Sequence, residues 1–543
     1  MFLKKTVFWA IAIMFIFTSC IFPDNEDDSL ELPIDWDESY FLTLEQYLLE
    51  HPAGECPDDP IDLSVRMNLG DMTAVNSGWH RLLESIGAVG KYVALDLSDS
   101  ILYGTEFVPY HWAFDALWTF DVNKSKGSKK IVSLVLPNTA KIIAGFESIV
   151  FPPGWETYVG ILPFYNLRYV KGEYVDTIRA RAFAGISSLR SVNFPRVTTI
   201  GIAAFAETGL TKAYFPLVTY IGRAAFGLST ALESVSFPSA KYIGENAFWG
   251  CTALESVRFP SAEYIGGEAF FGCTALESVY FPSAKYIGES AFFGCTALES
   301  VSFPSAKYIG HGAFGDCTAL ETIRFPANAT IKRGPFVGNI LLIYFDLIGE
   351  GYLRTIENGR ALVRNNVELI SYPTASGKLV MNEVTSIGEF AFANTSLENV
   401  SFPMVTHIGS AAFSGNTVLK SVNFPMVTHI GSTAFNGTAL ESVSFPMVMH
   451  IGSGAFNGNA ALTTIRMGNF APTVETSVLG SSWNLPNINI TVSVPVTAVG
   501  FGSSPEDAST NNWGNAFRGR GWDGTNFLNG RVDNNVTLHI VYE

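Results

Sequence analysis

Four cysteines recur at a spacing of 22 residues in the middle of the chain: Cys251, Cys273, Cys295 and Cys317. If each 22-residue unit is one turn of a stacked structure, their thiols form a column with neighbours about 4.8 Å apart. That separation permits disulfides, whereas a linear column fits the tetrahedral ligand set of zinc poorly. Because Asn416 and Asn459 fill the same position in other copies, we predict buried free thiols, with a disulfide or a metal site as the alternatives.

Three histidines form a second column, His407, His429 and His450, where earlier copies carry tyrosine. Three imidazoles in a row could bind a transition metal or respond to pH. Since they replace tyrosines that would stack on one another, we predict simple stacking and no metal site.

Nothing in the chain is typical of a catalytic site. The motifs HExxH, GxSxG and the P-loop are absent from the sequence. Glu255, Glu277 and Glu299 recur at the same 22-residue spacing, which indicates a solvated column of carboxylates and not a paired acid and base. We therefore predict that the protein is not an enzyme and needs no cofactor.

The elements that position these columns follow from the repeat. Residues 243–264 read IGENAFWGCTALESVRFPSAEY, and the three following copies change mainly at polar positions. A phenylalanine followed by proline recurs as Phe237, Phe259, Phe281, Phe303 and Phe325. A fixed period of this length predicts a repeat solenoid, in which each coil stacks on the next through a parallel strand ladder.

The sequence of one repeat predicts the structure of one coil. Leu254, Val257 and Phe259 follow the pattern L-x-x-L-x-L, which is the strand signature of a leucine-rich repeat. Alternation along a strand directs Val257 and Phe259 inward and Arg258 outward. Gly266 is expected to allow a tight bend after the strand.

The outward position on this strand varies while the core positions repeat. It carries arginine or tyrosine at Tyr214, Arg258, Tyr280, Arg324 and Arg466, and serine or asparagine in the coils between. Arginine and tyrosine dominate protein interfaces. We therefore hypothesise that these five residues form a partner-binding face, against the alternative of an ordinary solvated sheet face.

The order CxxLxxIxFP…IGxxAFxxC resembles the BspA-like, Treponema pallidum-type leucine-rich repeat, and it recurs in about a dozen copies across roughly residues 130–466. The resemblance implies a surface protein of a bacterium or protozoan. It also implies adhesion to host matrix or plasma proteins, or aggregation with other cells.

The charge of the chain is concentrated near its beginning. The formal net charge is −16, and residues 21–65 contain fourteen Asp and Glu but no Lys or Arg. The sequence shows no basic face of the kind that binds nucleic acid, and we predict no nucleic-acid partner.

The first 20 residues are typical of a secretory signal. Lys4 and Lys5 precede an apolar run from Val7 to Phe17, which is too short to span a bilayer. Phe17-Thr18-Ser19-Cys20 resembles a bacterial lipobox. We predict lipidation of Cys20 as the only membrane anchor, with ordinary secretion as the alternative.

The remaining boundaries follow from shifts in pattern. We predict a signal at 1–20, an acidic flexible tether at 21–33 and an N-terminal cap at 34–91 with helices near 42–50 and 79–86. Repeats follow at 92–348, irregular up to 165, and again at 378–467. A protruding hairpin insertion at 349–377, around Asn365-Asn366, separates the two blocks, and a β-rich C-terminal cap covers 468–543.

These expectations describe a lipid-anchored protein at the outer membrane or cell surface, or a secreted or periplasmic one. Its repeat face would bind a host matrix or plasma protein or another cell. A glycan-binding module that uses Tyr214 and Tyr280, and a passive spacer or surface antigen, are the alternatives.

Overall fold

The computed structural model describes residues 29–30, 38–72, 77–108, 127–144, 164–475, 478–479, 488–494 and 536–542. The predicted signal segment and Cys20 lie outside these residues. The chain divides into two compact units, one formed by residues 1–140 and 163–172, the other by residues 141–162 and 173–543. Each unit is described by itself.

The first unit contains the two described α-helices, α1 (Glu38–Glu50) and α2 (Gly78–Val89), where the sequence predicts helices. Ser77 caps α2 by accepting a hydrogen bond from the His80 backbone N–H at 3.2 Å, and Gly90 ends it with a left-handed φ of 80°. Both helices are amphipathic and bury Leu44 and Trp79. In the described part of the chain, no helix is both long and apolar enough to cross a membrane.

The strands of this unit are β1 (Ser29–Leu30), β2 (Ile61–Val65), β3 (Val93–Asp96), β4 (Glu106–Phe107), β5 (Ile131–Val135) and β7 (Tyr169–Lys171), with a 3-10 turn at Ser128–Lys130. β1, β2, β3, β5 and β7 pair in parallel in that order. The strand ladder therefore begins inside the segments predicted as tether and cap, because β1 and β2 already belong to it.

The second unit is a parallel-strand solenoid in which each regular coil contributes one long and one short strand. Before residue 349 the long strands are β9 (Ser191–Asn193), β11 (Lys212–Tyr214), β13 (Ser234–Ser236), β15 (Ser256–Arg258), β17 (Ser278–Tyr280), β19 (Ser300–Ser302), β21 (Thr322–Pro326) and β23 (Tyr344–Ile348). We call the surface that they form the long-strand face.

The short strands are β6 (Ile142–Ile143), β8 (Thr177–Ile178), β10 (Thr199–Ile200), β12 (Tyr220–Ile221), β14 (Tyr242–Ile243), β16 (Tyr264–Ile265), β18 (Tyr286–Ile287), β20 (Tyr308–Ile309) and β22 (Thr330–Ile331). They pair in parallel, coil to coil, so that Tyr264 lies beside Tyr286. We call the surface that they form the short-strand face.

The core lies between the two faces and consists of stacked phenylalanines. Rings in one column lie almost parallel, as in the Phe248–Phe270 pair with centroids 5.1 Å apart and planes 5° apart. Rings of the two columns meet at steep angles, as in Phe259–Phe270 at 64°. Both arrangements are favourable for aromatic pairs. Leu254, Val257 and Phe259 are buried and Arg258 is exposed, which confirms the predicted alternation.

The expected role of Gly266 in a bend is wrong. The φ of Gly266 is not in the left-handed region. The non-glycine residue of this turn that has a left-handed φ is Glu268, at 54°. A Cβ at Gly266 would instead lie 2.6 Å from the backbone N of Glu245 in the preceding coil. The glycine is needed because neighbouring coils approach closely there.

The period breaks after β23, and three antiparallel strands follow: β24 (Leu353–Ile356), β25 (Ala361–Arg364) and β26 (Glu368–Ser371). The predicted hairpin around Asn365-Asn366 is the β25–β26 turn, where both asparagines have left-handed φ. The expectation that it protrudes is wrong, because β26 pairs in parallel with the next short strand and Leu362, Val363 and Leu369 are fully buried.

The solenoid then resumes. Its long strands are β27 (Ser376–Val380), β29 (Ser396–Ser401), β31 (Ser421–Asn423), β33 (Ser442–Phe445) and β35 (Thr464–Met467), and its short strands are β28 (Ser386–Ile387), β30 (His407–Ile408), β32 (His429–Ile430), β34 (His450–Ile451) and β36 (Thr473–Val474). β37 (Ile488–Val494) and β38 (Val536–Tyr542) extend the ladder in parallel from β35. The strands predicted for the C-terminal cap thus continue the ladder.

Candidate functional site

Three of the five residues proposed for the partner-binding face lie in one ladder. Strands β11, β13, β15 and β17 pair in register, so that the outward column reads Tyr214, Ser236, Arg258 and Tyr280. Tyr214 is 65% exposed and has serine beside it on β13, so its ring is open to solvent. An aromatic platform of this kind can pack against a partner surface.

Arg258 and Tyr280 act as one unit. The guanidinium carbon of Arg258 lies 4.5 Å from the centroid of the Tyr280 ring, which is cation–π geometry. The contact restrains both side chains, while Tyr280 is still 45% exposed. Less side-chain freedom would then be lost when a partner binds.

The other two residues lie in separate ladders. Arg324 is on β21, where its Nε lies 3.5 Å from a carboxylate oxygen of Asp346 on β23. Arg466 is exposed on β35 between Ser444 and Ser493. Arg324 lies two coils beyond Tyr280 on the same long-strand face, whereas Arg466 lies beyond the interruption, so the structure does not bring all five together.

The same face carries a line of carboxylates. Glu233, Glu255, Glu277, Glu299 and Glu321 are exposed and follow one another from coil to coil immediately before the long strands. Their backbones pair, as when the Glu277 N–H donates to the Glu255 carbonyl at 3.0 Å. A partner on this face would meet an acidic line beside the mixed column.

The cysteine column is a ladder of buried free thiols, as predicted. All four thiols are fully buried and unpaired with one another. Each donates to the backbone carbonyl of a phenylalanine in the preceding coil, as Cys273 Sγ does to Phe248 O at 3.2 Å. Asn416 does the same through Nδ2 to Phe392 O at 2.6 Å. This shared contact explains why cysteine and asparagine exchange at this position.

Burial raises the pKa of the Cys251 and Cys317 thiols to about 12, and those of Cys273 and Cys295 are also raised well above the ordinary value. The thiolate is the reactive form of cysteine, and a buried apolar site disfavours it. The four thiols are therefore expected to react poorly as nucleophiles at neutral pH.

The histidine column stacks as predicted between His407 and His429, whereas His450 is tilted by 36° from His429. The ring centroids of His407 and His429 are 4.6 Å apart with planes 7° apart, and His429 and His450 are 6.0 Å apart. Burial, followed by the two neighbouring imidazoles, lowers the pKa of His429. Among the residues that the structure describes, no group of three or more His, Cys, Asp or Glu side chains has the arrangement of a metal site.

A cavity of about 550 Å³ lies at the interruption, where Lys332, Tyr352 and Arg364 line one opening, and no sequence motif predicts it. The only signal for it is the break in period after residue 348, which shows that a coil is incomplete but not which side chains surround the gap. A further feature not predicted above is a row of three methionines, Met404, Met426 and Met447. These are about half exposed in one column.

Comparison with known families gives a clear result. The model of the BspA type leucine rich repeat region matches residues 164–262, 219–342 and 385–499, in six copies that together cover more than half of the chain. No curated protein matches the chain.

Several solved structures are similar in fold. A leucine-rich repeat protein from Bacteroides ovatus is 21% identical over 68% of this chain and 80% of its own, with a TM-score of 0.41. A leucine rich cell surface protein from Faecalibacterium prausnitzii is 21% identical over 55% of this chain and 85% of its own, with a TM-score of 0.36. The pneumococcal vaccine antigen PcpA is 17% identical over 67% of this chain and 80% of its own, with a TM-score of 0.29.

Proposed function

Because this chain belongs to the BspA-type leucine-rich repeat family of bacterial surface proteins, we propose that it is an adhesin whose long-strand face binds a host matrix or plasma protein or another cell surface. The binding involves no reaction and no cofactor. Contacts repeated along the array would add to one another and supply the affinity.

The observation that carries this proposal is the outward column of the long-strand face. It is one of the positions that vary between near-identical coils, and it presents the exposed Tyr214 ring and the restrained Arg258–Tyr280 pair. Rigid aromatic and arginine side chains are the groups that contribute most to protein interfaces.

The proposed location follows from the N-terminal sequence. The signal segment would direct export, and lipidation of Cys20 would anchor the protein at the outer membrane or cell surface. Metabolic labelling with an alkyne-modified palmitate, comparing the natural chain with Cys20→Ala, tests the anchor. Equal labelling of both would favour a secreted or periplasmic protein.

Solid-phase binding of the purified protein to fibronectin, fibrinogen and a glycan panel tests the function. The test variant is Arg258→Ala/Tyr280→Ala/Arg324→Ala, and the matched control is Lys241→Ala/Lys307→Ala, which removes exposed charge from the short-strand face. Saturable binding to a protein that only the test variant loses would support the adhesin and its site.

The other outcomes separate the alternatives. Binding that survives the test variant would place the site elsewhere on the protein. Binding to sugars that is lost with Tyr214→Ala/Tyr280→Ala would favour a glycan-binding module. No binding at micromolar concentration, together with adhesion that survives deletion of two coils, would favour a spacer or surface antigen.

A further inference from the structure

The short-strand ladder is interrupted after β22. In the regular coils, the isoleucine carbonyl of one short strand accepts a hydrogen bond from the glycine N–H of the next coil, as Ile243 O does from Gly266 at 2.9 Å. No regular coil follows β22. The Ile331 carbonyl instead accepts a hydrogen bond from Arg364 Nη2 at 2.6 Å. A side chain thus replaces the backbone of the next coil, and the space that the coil would fill is left open.

That space is the cavity of about 550 Å³, a volume that suits a small molecule. The residues that matter for its chemistry are Lys332, Arg333, Tyr352, Arg364, Glu368 and Glu389. It lies at the short-strand ladder, and none of the five residues of the proposed partner-binding face lines it.

Among the described residues, the charges around the cavity leave one cation without a carboxylate partner. Arg333 pairs with Glu389 at 3.2 Å and Arg364 pairs with Glu368 at 3.1 Å. Among the described residues, no carboxylate lies within ion-pair distance of Lys332, whose Nζ lies 5.6 Å from the centroid of the Tyr308 ring. The six side chains therefore carry a net charge of about +1 at neutral pH, which suits a singly charged anion.

The remaining polar groups require a ligand that also donates hydrogen bonds. Glu368 and Glu389 are about two-thirds to three-quarters buried, and an ionised carboxylate only accepts hydrogen bonds. A phosphoryl group carries a charge of about −1.5 to −2 at pH 7, which exceeds the net positive charge of the cavity, and it offers few hydrogen-bond donors to the two carboxylates. Hydroxyl groups on the ligand would satisfy their free oxygen lone pairs, and Thr330 and Tyr352 offer hydroxyls 3.5 Å apart that both donate and accept.

We propose that this cavity binds a carboxylated sugar of one or two rings, a uronic or sialic acid, with its carboxylate on Lys332 and its hydroxyls on Glu368 and Glu389. Tyr352, which is 37% exposed, offers an apolar surface to the sugar ring. The site goes beyond the proposed function, because it uses a different face and different residues.

Isothermal titration of the purified protein with glucuronic acid and N-acetylneuraminic acid tests the proposal, with glucose and acetate as matched probes. We expect saturable binding of at least one acidic sugar with a Kd on the order of 1 mM. Glucose, which lacks the charge, and acetate, which lacks the hydroxyls, should each bind about tenfold more weakly or worse.

Three variants distinguish binding in the cavity from binding elsewhere on the protein. Lys332→Gln should weaken binding of the acidic sugar about tenfold without changing the thermal melt, since the side chain is exposed. Lys307→Gln on the neighbouring short strand and Tyr280→Ala on the long-strand face should both leave it unchanged. Retention of sugar binding by Tyr280→Ala distinguishes this site from the adhesin site, so the two proposals can fail separately.

Several results would overturn the proposal. Absence of saturable binding at about 10 mM sugar would do so, as would equal affinity for acetate, which would make the cavity a plain anion site. Equal affinity for glucose, or an unchanged Kd in Lys332→Gln, would show that the positive charge of Lys332 does not contribute to binding.

Discussion

In many coils, the position of Cys273 carries a side chain that donates to the backbone carbonyl of a phenylalanine in the coil before. Cysteine, asparagine and serine all do so, the last as Ser229 Oγ to Phe205 O at 2.9 Å. A short donor suits this dry position because it adds a second hydrogen bond to a carbonyl that already accepts a backbone N–H, as Phe248 O does from Cys251 at 3.2 Å. Sulfur chemistry is incidental to it.

Replacement of Cys273 tests this reading. Cys273→Ser keeps a donor and should stay close to the natural protein in stability. Cys273→Ala removes one of the two hydrogen bonds to the Phe248 carbonyl, which also accepts from the Cys251 backbone N–H at 3.2 Å, and should be less stable than the serine variant by about 0.5–1.5 kcal/mol. Urea denaturation followed by circular dichroism measures the difference, and equal midpoints for the two variants would refute the role of the hydrogen bond.

The raised thiol pKa values predict a loss of stability in alkali. The pKa of Cys251 rises from 9.0 to about 12 on folding, so the unfolded chain releases its proton first. The thiol therefore stabilises the native state fully below pH 9, and this contribution disappears as the pH rises to about 12. The urea midpoint should fall across this range, and Cys251→Ser should make the fall shallower. An identical slope in the variant would contradict the prediction.

His429 predicts the opposite dependence in acid. Its pKa is lowered below the ordinary 6.5 by burial and by the imidazoles of His407 and His450. The unfolded chain therefore takes up a proton first as the pH falls. Stability should decline from about pH 6.5 downward, and His429→Tyr, which restores the residue of the earlier coils, should reduce the decline. Melting temperatures between pH 7 and pH 5 measure it, and parallel curves for both proteins would contradict it.

At the scale of the element, the distance between coils is set by glycine. Gly266 has neighbours of the preceding coil 2.6 Å from where its Cβ would be, whereas the adjacent Gly267 would meet its nearest atom, Glu289 O, at 3.4 Å. The two glycines are adjacent in the chain but differ in the space that a Cβ would have, so they form a matched pair.

We expect Gly266→Ala to destabilise the protein by about 1–3 kcal/mol, because the short strands must move apart. Gly267→Ala should cost clearly less. Thermal melts of the two variants make the comparison, and an equal loss would show that clearance between coils is not what selects glycine at position 266.

The regular coil could be predicted in detail from the sequence, because a strict period fixes which of Val257, Arg258 and Phe259 faces inward. The structure of the interruption could not be predicted in this way. The β25–β26 turn has a local signal in Asn365-Asn366, but the partner of β26 is an edge that becomes available only when the coils stack. The Arg364–Ile331 contact joins residues 33 positions apart, and no short-range pattern records it. Contacts between the interruption and the strand edges of the adjoining coils therefore cannot be predicted from the sequence alone.

At the scale of the whole molecule, the second unit is an array in which a coil interacts mainly with its two neighbours. Deletion of residues 265–286 would join Tyr264 to Ile287 and preserve the register of both ladders. The shortened protein should fold with a circular dichroism spectrum of the same shape, because each interface between coils is nearly equivalent.

Deletion of residues 265–275 is the control, since it removes half a coil and places core residues outside. That variant should lose a large part of its strand signal or melt far earlier. If both deletions were equally harmful, the coils would not be interchangeable units, and the near-identity of residues 243–325 would need another explanation.

The interruption between β23 and β27 also has a mechanical consequence. A pull along the axis loads the ladders between coils in series, so the array would part first where neither ladder continues from one regular coil to the next. Each 22-residue coil released beyond that point would lengthen the chain by about 70 Å. A protein tethered at one end and bound at the other would then yield first at residues 349–375 under tension, before the coils on either side unfold.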